Sequence, residues 1–103
     1  MEGESLAQRL GRRLRTARFA AGLTVREAAA QAGLPGHPQL VRYENGTAQP
    51  PLDRLAALAT VYGTTPAALL AVRDDAAPVI AVLDQADAAV IARLLRALEQ
   101  EAS

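Results

Sequence analysis

The sequence predicts an all-α chain: a five-helix domain over residues 5–71, a linker over 72–78 and a C-terminal helical segment over 79–103. Three observations carry this expectation. Apolar residues recur at helical spacing, as in Leu6, Leu10, Leu14 and Ala17. Start and stop signals punctuate them, with Ser5, Thr24 and Thr65 placed to open helices and Gly33, Gly46 and Gly63 placed to close them. Near the end, Val90, Ile91, Leu94, Leu95 and Leu98 form a strong apolar stripe on one helix face.

Composition narrows the function classes. A chain of 103 residues makes one domain, or one domain with an appendage, and can bury a core without staples. With no cysteine, disulfides, zinc ribbons and thiol catalysis are excluded. His37 is the only histidine, which leaves little for a metal site. No nucleophile–base pair, phosphate loop or ligand cluster is visible, so the expectation is no enzyme, no cofactor and no metal. No apolar run has membrane-spanning length and no signal peptide is visible, so the expected location is cytoplasmic, with no membrane partner. Every basic residue is arginine, and net charge is zero but unevenly spread. Residues 1–26 hold six arginines against two glutamates, a net of +4; residues 27–73 balance; residues 74–103 hold two arginines against six acids, a net of −4. A basic front and an acidic tail suggest that one end meets phosphate and the other avoids it.

In chain order, Met1 to Glu4 reads as a frayed end and Ser5 as the cap of helix one. Gly11 is a weak spot there but does not end the helix. Arg9, Arg12, Arg13 and Arg15 lie off the apolar stripe, as a solvated face or as phosphate contacts. Thr24 with Glu27 forms a capping box, and helix two should run from Val25 to Ala32. Its first turn, with Thr24, Val25 and Arg26, offers a phosphate seat. Pro35-Gly36 is turn chemistry, and Pro38 is tolerable at a first helical position. Helix three should span Pro38 to Asn45, with Leu40 and Tyr43 inward and Val41 partly exposed. Two short helices joined by a Gly-containing turn form the helix-turn-helix pattern, and Ala29 fits a crossing with room for only a methyl group. Pro50-Pro51 precedes helix four, whose core face is Leu52, Leu55, Ala56, Leu58, Ala59 and Tyr62. Thr65-Pro66 opens a short fifth helix through Leu70. Val79 to Leu83 suits a strand or a helical turn, and helix is favoured. Asp84 should cap a last helix over Gln85 to Glu101.

Gly22-Leu23-Thr24, Ala29, Gly33, Tyr43-Glu44-Asn45-Gly46, Pro50 and the run from Leu52 to Leu70 together resemble the phage repressor/Cro-type helix-turn-helix family, also called xenobiotic-response-element-like. The resemblance covers Leu6 to Ala71 and implies a repressor-like DNA-binding domain. It also implies a buried ion pair between Arg18 and Glu44, tying helix one to helix three. On the matched register, His37, Pro38, Gln39 and Arg42 face the major groove. Arg42 can read guanine and Gln39 adenine, or Gln39 is an ordinary polar surface residue; His37 fits a capping role better than base reading. Arg13, Thr24, Val25, Arg26, Asn45 and Thr47 are the implied phosphate contacts.

The chain departs from the family in three places. The turn from Gly33 to Glu44 is one residue longer, Val25 replaces a glutamine that grips the backbone, and the loop Thr47-Ala48-Gln49 is neutral where many relatives are basic. The resemblance implies double-stranded DNA and a homodimer as partners. The stripe of Val90, Ile91, Leu94, Leu95 and Leu98 must fold back on its own domain or meet a partner, and self-association is favoured. The expected function is sequence-specific transcriptional regulation, a repressor on a pseudo-palindromic operator. The alternative is a protein-interaction module, such as an antitoxin or an assembly helix-turn-helix, with weak or no DNA binding and a protein partner on the C-terminal helix.

Overall fold

Two reciprocal caps start the first two helices. The Ser5 hydroxyl accepts from the Gln8 N–H while the Gln8 side-chain Oε1 accepts from the Ser5 N–H. Thr24 and Glu27 repeat the arrangement. The computed structural model describes residues 3–102, so Met1 and Glu2 of the expected frayed end, and Ser103 of the C-terminal segment, lie outside the described residues. Glu4 is not frayed: Arg12 holds its carboxylate at 2.8 and 3.0 Å.

The described residues form helices α1 (Leu6–Ala20), α2 (Val25–Gln31), α3 (His37–Asn45), α4 (Leu52–Val61), α5 (Pro66–Leu69), α6 (Ala77–Gln85) and α7 (Ala88–Ala102), with no strand among them. Leu10 and Leu14 of α1, Ala28 and Ala29 of α2, Leu40 and Tyr43 of α3, and Leu55, Leu58 and Ala59 of α4 build the core. Leu34, in the α2–α3 turn, fills it from the side. Three residues expected on the core faces are exposed: Leu6, Leu52 and Ala56. Leu6 and Leu52 are first-turn residues, and helical side chains lean toward the helix N-terminus, here off the end of the core. Ala56 lies about 100° round α4 from Leu55.

α1 crosses α3 at Gly11, which is buried. A Cβ there would lie 2.5 Å from the Tyr43 carbonyl oxygen and closer still to that of Glu44. The expected weak spot is therefore the point of closest approach. Gly46 closes α3 at φ 75°, and a Cβ on it would meet the Gln8 Cα at 3.0 Å.

The chain around residues 72–78 is tied down. Arg13 is buried, and its Nη1 donates to the carbonyls of Ala68, Leu69 and Ala71 at the end of α5. Carbonyls at the end of so short a helix are poorly satisfied by backbone, although that of Ala68 also accepts from the Ala71 N–H, and the guanidinium supplies a donor to all three. Its Nε and Nη2 donate to Asp74, at 3.1 and 2.9 Å. Helix resumes at Ala77, inside the expected linker, and α6 packs on α5. α6 continues through Gln85, so Asp84 lies within it and caps nothing; Asp87 takes that place, accepting from the Val90 N–H at 3.0 Å. All 15 residues of α7 are exposed. The radius of gyration is 15.5 Å against roughly 13 Å for a compact chain of this length, as a helix standing away from the core requires.

Candidate nucleic-acid interface

α3 is amphipathic and seated by three inward residues: Leu40, Tyr43 and Glu44 are buried. Its other face is open, with Pro38, Val41, Arg42 and Asn45 exposed and His37 and Gln39 half-buried. His37 is the first residue of the helix and not its cap; that position belongs to Gly36, which makes no side-chain cap bond. Pro38 follows within the first turn, where its missing N–H costs nothing.

Four side chains are linked across this face. The Tyr43 Oη receives Gln39 Nε2 at 3.3 Å and Arg54 Nη1 at 3.2 Å. The Gln39 Oε1 accepts from Arg42 Nη2 at 3.2 Å. Gln39 and Arg42 are thus held by one another and, through Tyr43, by the core. Arg54 has no signal in the sequence, because its partner lies on another helix.

Beneath the face, Arg18 grips Glu44 with a two-pronged fork, Nε to Oε2 at 2.7 Å and Nη2 to Oε1 at 3.0 Å. Both are buried, and the Arg18 Nη1 also donates to the Leu23 carbonyl. The Phe19 ring covers the guanidinium at 4.7 Å. The Glu44 hydrogen bonds hold Arg18 more firmly protonated than a free arginine. The surroundings are poorly hydrated: burial, with the Glu44 charge adding, pushes the nearby Tyr62 hydroxyl up to about 12. Arg15 extends the tie, reaching Glu44 at 3.4 Å and the Asn45 side-chain oxygen at 2.9 Å.

At α2, the cap occupies much of the expected phosphate seat. Thr24 and Glu27 bond each other, and the Thr24 N–H and hydroxyl hold the Glu27 carboxyl below the usual range. Val25 packs against the core, while Arg26 is exposed. Arg26 and His37 line one hollow of about 270 Å³ between α2 and the start of α3. Just past the C-terminal end of α3, the Thr47 hydroxyl donates to the Arg42 carbonyl at 3.2 Å.

Arg13 is a correction. The sequence expectation puts it at phosphate, but it is buried against α5 and paired with Asp74. Leu10 three positions before it and Ala17 four after it put it at the edge of the apolar stripe, a signal available in the sequence. The basic front is likewise mostly engaged: Arg12, Arg13, Arg15 and Arg18 all contact carboxylates of this chain. Arg26 and Arg42 make no ion pair among the described residues. Val90, Ile91, Leu94, Leu95 and Leu98 lie far from these groups in sequence, exposed along α7.

No helix of the described residues is long and apolar enough to cross a membrane. No curated protein matches the chain. A family model described as a helix-turn-helix domain matches residues 9–72, from α1 to just past α5. With that match over more than half its length, the chain belongs to the helix-turn-helix domain family.

Proposed function

We propose that the chain is a sequence-specific DNA-binding regulator of transcription, acting as a repressor that binds a pseudo-palindromic operator as a homodimer in the cytoplasm. The observation that carries this reading is the state of α3. Its inner face is locked by Leu40, Tyr43 and Glu44, and its outer face offers Arg42 and Gln39 already aligned by a hydrogen bond. An arginine fork reads guanine and an amide reads adenine in the major groove. Arg26 flanks the same face for the phosphate backbone. The reading assigns the chain no reaction. Recovery of bound DNA across a genome, followed by a footprint, tests it; absence of any enriched site favours the interaction module.

Arg42→Ala should cost about 1–3 kcal/mol on the operator while altering random-DNA binding much less. A titration in which both fall equally makes Arg42 a backbone contact and shifts the register of α3.

The homodimer half of the reading is supported by α7. Its five large apolar residues are 36–56% exposed, and none of them is buried among the described residues. A 15-residue helix with such a stripe gains little by remaining alone in water. Ile91→Asp with Leu95→Asp should leave the core folded, give a monomer in sedimentation and shorten the footprint to one half-site. A parent protein that sediments as a monomer at micromolar concentration and protects one half-site refutes the dimer.

A further inference from the structure

Between α1, α5 and α6 lies a cleft of about 410 Å³. Ala17, Ala68, Leu69, Ala77 and Pro78 give it apolar walls, and Arg12, Arg13 and Asp74 form its polar end. There, three guanidinium N–H groups converge on one oxygen. Asp74 Oδ1 receives Arg13 Nε at 3.1 Å, Arg13 Nη2 at 2.9 Å and Arg12 Nη2 at 3.1 Å.

The donors are fixed independently of that oxygen. Arg13 is also held by the carbonyls of Ala68, Leu69 and Ala71, and Arg12 by Glu4. Asp74 differs: its side chain is 63% exposed and sits in the turn before α6. A buried, anchored Arg13 and a surface Arg12 meeting a largely hydrated carboxylate on a turn make an anion site filled by a replaceable group.

We propose that this cleft binds a small amphipathic carboxylate, whose apolar body lies on Ala17, Leu69 and Pro78 and whose carboxylate takes the place of Asp74 on Arg12 and Arg13. The volume falls in the usual range for small-molecule sites. With Asp74 swung out, Arg12, Arg13 and Glu4 leave one positive charge, which selects a monoanion over a cation or a neutral molecule. The displaced turn is the one that joins α5 to α6, so occupancy loosens the tie between α1 and the C-terminal helices. This site does not rest on the DNA-binding reading.

The probe is 2-naphthylacetate, followed by its own fluorescence, since the chain has no tryptophan. Saturable binding is expected for the parent protein. Asp74→Asn leaves only a neutral, weaker acceptor in place of the internal carboxylate and should tighten binding roughly tenfold, as for a site partly freed from a state that blocks it. Arg12→Gln should weaken it roughly fivefold or more by removing one fork. Ala17→Leu fills the cleft and should abolish binding with the melting temperature kept, which separates the cleft from the apolar face of α7. The proposal is overturned by no saturable binding to parent and Asp74→Asn alike, by weaker binding to Asp74→Asn, by binding that survives Ala17→Leu, or by equal binding of the neutral 2-naphthaleneethanol.

Discussion

Glu44→Ala lowers stability by about 3–5 kcal/mol, the cost of stranding a buried charge by removing its partner. The stranded group is Arg18, which is buried and receives both of its carboxylate contacts from Glu44. It cannot turn to solvent without uncovering the Phe19 ring and giving up the Leu23 carbonyl. For a domain of this size each kcal/mol moves the melt by roughly 4–8 °C, so a fall of about 12 °C or more is expected. Arg18→Met combined with Glu44→Leu should recover much of the loss, because an apolar pair of similar volume leaves no charge in the interior. A melt that Glu44→Ala leaves unchanged removes the pair from any role in stability.

Gly11→Ala has the opposite sign to the one its helix predicts. In the interior of an exposed helix the change gains about 1 kcal/mol. Here the added methyl meets the Tyr43 and Glu44 carbonyl oxygens, which belong to the backbone of α3 and cannot rotate aside. Overpacking costs of 1–3 kcal/mol apply, and with backbone on the other side the net loss should be about 2 kcal/mol. Because relief requires α1 and α3 to separate, the Arg18–Glu44 fork lengthens with it. Chemical denaturation of Gly11→Ala beside the parent checks this, and a raised midpoint contradicts the close crossing.

Local chemistry was legible in the chain. Ser5, Thr24 and Thr65 are caps by residue type, and their bonding partners lie three residues on, so nothing distant is needed to find them. The break before α7 falls later than the sequence suggests because Asp84 and Asp87 are equally good caps in sequence, and the packing of α6 on α5 extends the earlier helix past the first of them. The helix pattern of Leu40, Tyr43 and Arg42 put Arg42 outward and Tyr43 inward, as they stand. The sequence leaves Gln39 open between base reader and surface residue, and its hydrogen bonds to Tyr43 and Arg42 are both within helical reach. What periodicity could not supply were partners 55 to 61 residues away: the α5 carbonyls and Asp74 that draw Arg13 inward. The role of Gly11 is hidden for the same reason, since propensity describes a helix alone and the constraint comes from the backbone of another.

The pairing of arginines with the chain's own carboxylates has a consequence for how the protein would travel on a chromosome. Duplex DNA carries a sheath of condensed cations, and a protein binds random sequence largely by displacing them. Arg12, Arg13, Arg15 and Arg18 are committed to Glu4, Asp74 and Glu44, and the displaced ions are correspondingly few. On the proposed reading, its hold on random DNA would then be weak and only mildly sensitive to salt. On that reading, such a protein would make brief visits from solution instead of long slides, and would stay only where Arg42 and Gln39 find bases to exchange for one another.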